Sequence, residues 1–118
     1  MSDNTKAHAN YLPKIAAGER TAAIALSEPK YGSAVTDIET SAIIEGDEIR
    51  IDGSKRFITG APDYDVYVVF VRLNGIQGMK GIGAVVVDRD TPGFTLGAGP
   101  EYMGSRGSPH GDLHFENC

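Results

Sequence analysis

The sequence predicts an all-β domain, an antiparallel β-barrel or sandwich of about seven or eight strands with a short N-terminal helix. Three observations predict it. From Thr21 onward, short β-branched or apolar runs are separated by Gly, Asp, Asn and Pro, the pattern of a sandwich or barrel. Glu48-Ile49-Arg50-Ile51-Asp52 alternates strictly, as a strand with one wet face should. Val66 to Val71 and Ala84 to Val87 are nearly continuous apolar runs, which suits central strands covered on both faces.

Taken in order, residues Tyr11 to Ala17 read as one short helix, with Pro13 tolerated in its first turn and Gly18 as the stop. Strands are expected near Ala22–Leu26, Ile38–Ile44, Glu48–Asp52, Lys55–Thr59, Val66–Arg72, Ile82–Asp88, Phe94–Gly97 and Asp112–Glu116. Gly46-Asp47 and Asp52-Gly53 stand where tight hairpins need residues that tolerate positive φ, so they are expected to tie three strands into a meander. Four glycines between Asn74 and Gly83 mark a flexible connection between two core strands. Residues 1–20 are thus a connector carrying the helix, and 21–118 the β body. The end at Phe115-Glu116-Asn117-Cys118, directly after a strand-like run, suggests a chain cut from something longer.

With 118 residues the chain fits one domain. Its single cysteine, Cys118, permits no internal disulfide and favours a reducing, cytoplasmic setting. No apolar run approaches the roughly 20 residues of a membrane helix, and the polar N-terminus lacks a leader's apolar core. Eleven Lys and Arg against sixteen Asp and Glu give a net charge of −5, which opposes long-range attraction to nucleic acid or an anionic membrane. An anionic cofactor still finds local donors, with Lys30, Lys55, Arg56 and Arg106 as candidate cations.

Gly81-Ile82-Gly83 is no dinucleotide fingerprint, because a β-branched strand follows it where a helix is required. His110, Asp112 and His114 share one strand face but fall short of a structural zinc set, and solvated or hydrogen-bonded roles suit them better. Ser108 beside His110 lacks the strand-turn-helix context of a nucleophile.

Two stretches are more informative. Ala25-Leu26-Ser27-Glu28-Pro29-Lys30-Tyr31-Gly32-Ser33 is a strand that stops at a proline and turns through glycine into small hydroxyls. It is either an ordinary strand exit or a rim of backbone N–H and hydroxyl donors for a flat heteroaromatic ligand. In Ser54 to Ala61, alternation puts Phe57 and Thr59 on one face, either as a core pair or as an aromatic plane beside a hydroxyl. Glu28, at a strand end beside Pro29, reads as a structural hydrogen-bonding group and not as a catalytic base.

In order along the chain, Ala25-Leu26-Ser27-Glu28-Pro29 with Gly32-Ser33, Gly53-x-Lys55-x-Phe57-Ile58-Thr59, Thr91-Pro92-Gly93-Phe94 and Met103-Gly104-x-Arg106-Gly107-Ser108 resemble the middle domain of acyl-CoA dehydrogenases. Tyr11 to Ile15, Gly18-Glu19 and Phe115-Glu116-Asn117 match its edges, so the resemblance spans nearly the whole chain. It implies a β-barrel-like domain between two helical domains, in an enzyme that desaturates acyl-CoA thioesters between the α and β carbons. It further implies that FAD is lined by Ile24, Ala25, Leu26, Ser27, Ser33, Phe57, Ile58 and Thr59. Ser27 would bond the pyrimidine edge, Thr59 would offer its hydroxyl near N5, and Phe57 would pack on the ring. Ser33 would touch the CoA thioester. The partners implied are the acyl-CoA substrate, the flanking helical domains, an electron-transfer flavoprotein and, at full length, further copies of the chain. The general base would come from the C-terminal helical domain, leaving this segment inactive alone. Tyr31, Ala34, Phe57 and Gly60 depart from the usual family residues. An acyl-CoA oxidase, a flavin monooxygenase-like relative and a cofactor-free β-sandwich interaction module are the competing readings.

Overall fold

The computed structural model describes residues 4–118, so residues 1–3 of the expected connector lie outside the described residues. Helix α1 spans Thr5–Ala16 and begins well before the predicted Tyr11. Asn4 explains the early start: its side-chain oxygen accepts the Ala7 N–H at 3.0 Å and satisfies one of the free donors of the first turn. Pro13 therefore sits inside the helix and not in its first turn. The helix closes where Ala17 donates to the Pro13 carbonyl at 2.9 Å.

Seven strands follow among the described residues: β1 Ala22–Ala25, β2 Ser41–Glu45, β3 Glu48–Thr59, β4 Val66–Leu73, β5 Ile82–Asp88, β6 Phe94–Ala98 and β7 His110–Phe115. They form one curled sheet in the order β1-β4-β2-β3-β7-β6, with β5 also paired to β4. The antiparallel expectation needs correction. β1 runs parallel to β4 from Ala22 beside Val66 to Ala25 beside Val69, and β2 runs parallel to Arg72 and Leu73 of the same strand. Hairpins impose antiparallel pairing only on strands adjacent in sequence. No tight turn links β1 or β2 to β4, so nothing local dictated their direction. The result is a mixed sheet curled into a half-barrel.

Gly46-Asp47 closes the β2–β3 hairpin as expected, with Glu45 opposite Glu48. Asp52-Gly53 does not turn the chain, and the two strands expected over 48–52 and 55–59 are one continuous β3. Gly53 has φ +141°, and a Cβ there would lie 2.7 Å from the Thr40 Cα. The glycine thus permits a close crossing. Up to Asp52, β3 pairs with β2, and from Gly53 onward it pairs with β7, which joins the two sides of the half-barrel.

Inside the curl, β4 contributes Tyr67, Val69 and Val71, all fully buried. Tyr67 meets the Phe94 ring edge-on at 5.2 Å, and Phe94 stacks on Phe115 at 4.9 Å, arrangements that suit the ring quadrupoles. Helix α1 has no buried residue. It lies over Ala22, Val66, Val68 and Val86 across a small apolar cavity of about 110 Å³. Its polar tether is Asp88, which accepts the Tyr11 hydroxyl at 2.7 Å and the Arg20 guanidinium at 2.6 Å.

Candidate functional site

The two stretches singled out in the sequence adjoin in the fold. Beyond Ala25 the chain leaves β4 and docks on β3: the Arg56 N–H donates to the Ser27 carbonyl at 2.8 Å. The Lys55 ammonium donates to the neighbouring Leu26 carbonyl at 3.1 Å. Ala25 and Ile58 both belong to the buried core cluster. The residues alternating with them, Ile24 on one strand and Phe57 and Thr59 on the other, therefore leave the core outward. Ile24 is 68% exposed and Phe57 47% exposed.

Phe57 owes its presentation to a bulge. Lys55 pairs with Leu113 and Ile58 with Gly111, leaving Arg56 and Phe57 together opposite Asp112. Phe57 takes φ +60°, a left-handed conformation that is an outlier for a bulky residue and costs about 1–3 kcal/mol. Asp112 braces the bulge, accepting the Phe57 N–H at 3.4 Å and facing the Arg56 guanidinium at 3.9 Å. The Arg56 guanidinium also lies over the Phe57 ring, 4.9 Å from its centre. Immediately after β3, a Cβ at Gly60 would lie 2.5 Å from the Tyr64 ring. A side chain at that position has no room unless the Tyr64 ring moves.

The eight residues expected to line a cofactor divide into groups. Ile24, Phe57 and Thr59 present side chains outward, while Leu26 and Ser27 are half-buried at the β1 exit. Among the described residues, the Ser27 N–H and the Ser27 and Thr59 hydroxyls take no partner within the chain. Ala25 and Ile58 turn their side chains into the core and leave only backbone to a ligand. Ser33 is exposed on the loop between β1 and β2, beyond the turn in which Glu28 and Tyr31 exchange main-chain hydrogen bonds. That loop is pinned by Glu39, which receives Lys30 at 3.0 Å and the Tyr31 hydroxyl at 3.2 Å. A cleft of about 370 Å³ lies between the Glu28–Lys30 turn and Gly53-Ser54.

Lys55 is not a cation offered to a ligand. It is fully buried and pairs with Glu28 at 2.8 Å. The Glu28 carboxylate also accepts the N–H groups of Glu39 at 2.7 Å and Thr40 at 2.9 Å. Burial alone would raise the Glu28 pKa, but the Lys55 ammonium and the Thr40 and Glu39 donors outweigh it and hold the carboxyl below its ordinary value. Of the other candidate cations, Lys30 is committed to Glu39, Arg56 lies at the bulge, and Arg106 is exposed in the loop before β7. His110 bonds the Ser108 carbonyl through Nδ1 at 2.9 Å.

Sequence reasoning missed the Glu28–Lys55 pair, although Lys55 stands at an inward position of an alternating strand. It also missed the bulge. A further omission was Arg72, a buried guanidinium that donates to the carbonyls of Thr36, Ile38 and Ile76 and clips the β2 and β5 approaches to β4.

The family model described as acyl-CoA dehydrogenase, middle domain, matches residues 23–118. The chain is 39% identical over 108 residues to a mitochondrial isobutyryl-CoA dehydrogenase of Dictyostelium discoideum, covering 92% of this chain and 26% of that protein. It is 37% identical over 115 residues to an acyl-CoA dehydrogenase of Bacillus subtilis, covering 98% and 30%. A glutaryl-CoA dehydrogenase of Mycobacterium smegmatis, solved in complex with FADH2, superposes with a TM-score of 0.84 at 30% identity, covering 98% of this chain and 28% of that one. The chain thus spans between a quarter and a third of the length of these relatives. Among the described residues no helix is long and apolar enough to cross a membrane. The matched span, together with a curled sheet that brings Ser27 beside the Phe57 bulge, shows that this chain belongs to the acyl-CoA dehydrogenase family, as that family's middle domain.

Proposed function

We propose that this chain forms the wall against which a full-length, cytoplasmic and oligomeric acyl-CoA dehydrogenase holds its FAD while an acyl-CoA thioester is desaturated between its α and β carbons. The observation that supports it best is the bulge that sets Phe57 outward beside the free donors of Ser27 and Thr59. A strained conformation of a bulky residue, kept by Asp112 and Arg56, is the kind of feature that persists where a surface has work to do. Bound FAD would supply the redox step, taking hydride at N5.

Phe57 would offer the ring a flat apolar contact. The Ser27 N–H and hydroxyl would donate to the polar edge of the ring system, and the Thr59 hydroxyl would donate near the atom that is reduced. Such fixed donors stabilise negative charge as it arrives, and their rigidity lowers the reorganisation needed at that moment. Ile24, Leu26 and the backbone of Ala25 and Ile58 would complete the contact, and Ser33 would meet the thioester's polar tail. Residues 1–20 would lead in from a preceding helical domain, and the base would come from a following one. Electrons would leave to an electron-transfer flavoprotein.

The test is purification of the full-length enzyme. A yellow protein whose visible absorption bleaches on adding a short-chain acyl-CoA supports the reading. A protein that stays colourless after incubation with FAD, and that oxidises no acyl-CoA, ends it.

A further inference from the structure

The buried Lys55 has no place in the cofactor wall itself, yet it bonds the β1 exit that carries Ser27 and lies on the strand that carries Phe57 and Thr59. Its ammonium donates to the Leu26 carbonyl at 3.1 Å, and the next residue's N–H, from Arg56, donates to the next carbonyl, Ser27, at 2.8 Å. Two consecutive residues of β3 thereby clamp two consecutive carbonyls of the β1 exit. The same ammonium holds the Glu28 carboxylate at 2.8 Å, and that carboxylate caps the Glu39 and Thr40 N–H groups where the returning loop enters β2. The bulge begins at the residue after Lys55, and Phe57 stands two residues beyond Lys55.

We infer that Lys55 is a positioning residue of the cofactor wall: through its clamp on Leu26 and Glu28 it sets the spacing between the Ser27 donors and the Phe57–Thr59 face. The inference rests on the cofactor reading proposed above. A charged donor in a fully dry site binds its acceptors more tightly and in fewer geometries than a neutral one. Hydrogen-bond strength to a flat ligand falls steeply with misplacement. Loss of the ammonium would free the β1 exit to shift relative to β3, although every side chain facing the ligand would remain.

The experiment compares three forms of the full-length enzyme: wild type, Lys55→Met, and Val71→Ala as a control for lost stability. Val71 is a fully buried β4 residue that pairs with Gly83, beyond the segment of β4 that holds β1. Both variants are expected to melt several degrees below wild type, as core changes in a domain of this size do. Only Lys55→Met is expected to bind FAD about tenfold more weakly, the size of effect that follows when about one hydrogen bond to the ring is lost through misplacement, and to shift the flavin's visible absorption bands. If Lys55→Met fails to fold, Lys55→Gln, which keeps a shorter donor, is measured in its place, with a smaller shift in the same direction expected. Wild-type FAD affinity and spectrum in the folded variant would overturn the inference. So would an equal loss of FAD from Val71→Ala, because it would show that general instability suffices. A wild-type enzyme that binds no FAD at all would overturn the function proposed above, and the inference with it.

Discussion

Phe57 and Thr59 share a strand face yet differ in what they cost the fold. Thr59 is an exposed residue in regular pairing with His110, so Thr59→Val should leave the unfolding free energy within about 0.5 kcal/mol of wild type. In the intact enzyme the same change should slow flavin reduction on the order of 100-fold, as removal of a preorganised donor does; stopped-flow bleaching measures it. Phe57, at φ +60°, carries strain that a residue tolerant of the left-handed region would relieve. Phe57→Asn should therefore keep or raise stability by about 1 kcal/mol in urea unfolding while weakening FAD binding, and a clear loss of stability would show that the ring is a packing residue. Alternation made it legible in the sequence that these two side chains share a face, but whether that face is core or surface is decided only in the fold, where Ala25 and Ile58 fill the core. The bulge was not legible, because it arises from a register mismatch with β7 that no local pattern records. Lys55 was misread for a related reason: a lysine suggests solvent, and only the position of Glu28 across the fold explains its burial.

At the scale of elements, the Glu28–Lys55 pair ties the β1 exit, the start of β2 and the middle of β3 into one unit. Removing one member of a buried pair leaves an uncompensated charge. Glu28→Ala should accordingly lower the unfolding free energy by about 3–5 kcal/mol, as read from the urea midpoint, and a change below 1 kcal/mol would show that water reaches Lys55. The elements themselves were mostly readable. Val66 to Leu73 and Ile82 to Asp88 appear almost where their apolar runs predicted strands. Two misreadings share one cause, a residue assigned its commonest role. Pro13 suggests a helix start, yet Asn4 supplies the cap, and Gly53 suggests a turn, yet it serves a close crossing with Thr40.

For the molecule as a whole, acid sensitivity follows from its carboxylates. Glu28 is held below its ordinary pKa despite burial, Asp88 likewise by Tyr11 and Arg20 against its own burial, and Asp65 by the Thr21 N–H and hydroxyl. A depressed folded-state pKa means that the unfolded chain binds more protons. The stabilisation is therefore complete above the ordinary carboxylate values of 4.5 and 3.8 and is lost as pH falls through the depressed ones. Urea midpoints should be level through neutral pH and drop steeply below about pH 4, whereas a midpoint equal at pH 7 and pH 3 would contradict these assignments. A strand-rich fold with one short leading helix was legible at this scale, but the antiparallel barrel or sandwich was not what formed, since the directions of β1 and β2 against β4 depend on partners distant in sequence.

That shared use of one edge of β4 has a consequence for biosynthesis. During translation β1, and then the β2–β3 hairpin, leave the ribosome before β4 has been made, so the hairpin can close on itself but neither β1 nor β2 can reach its partner on β4 on emerging. β4 is the keystone whose arrival lets the earlier segments assemble, and pairing between such distant segments is slow to nucleate. A nascent chain stalled before residue 66 should stay protease-sensitive and recruit chaperones, and release past Leu73 should let the waiting strands close together.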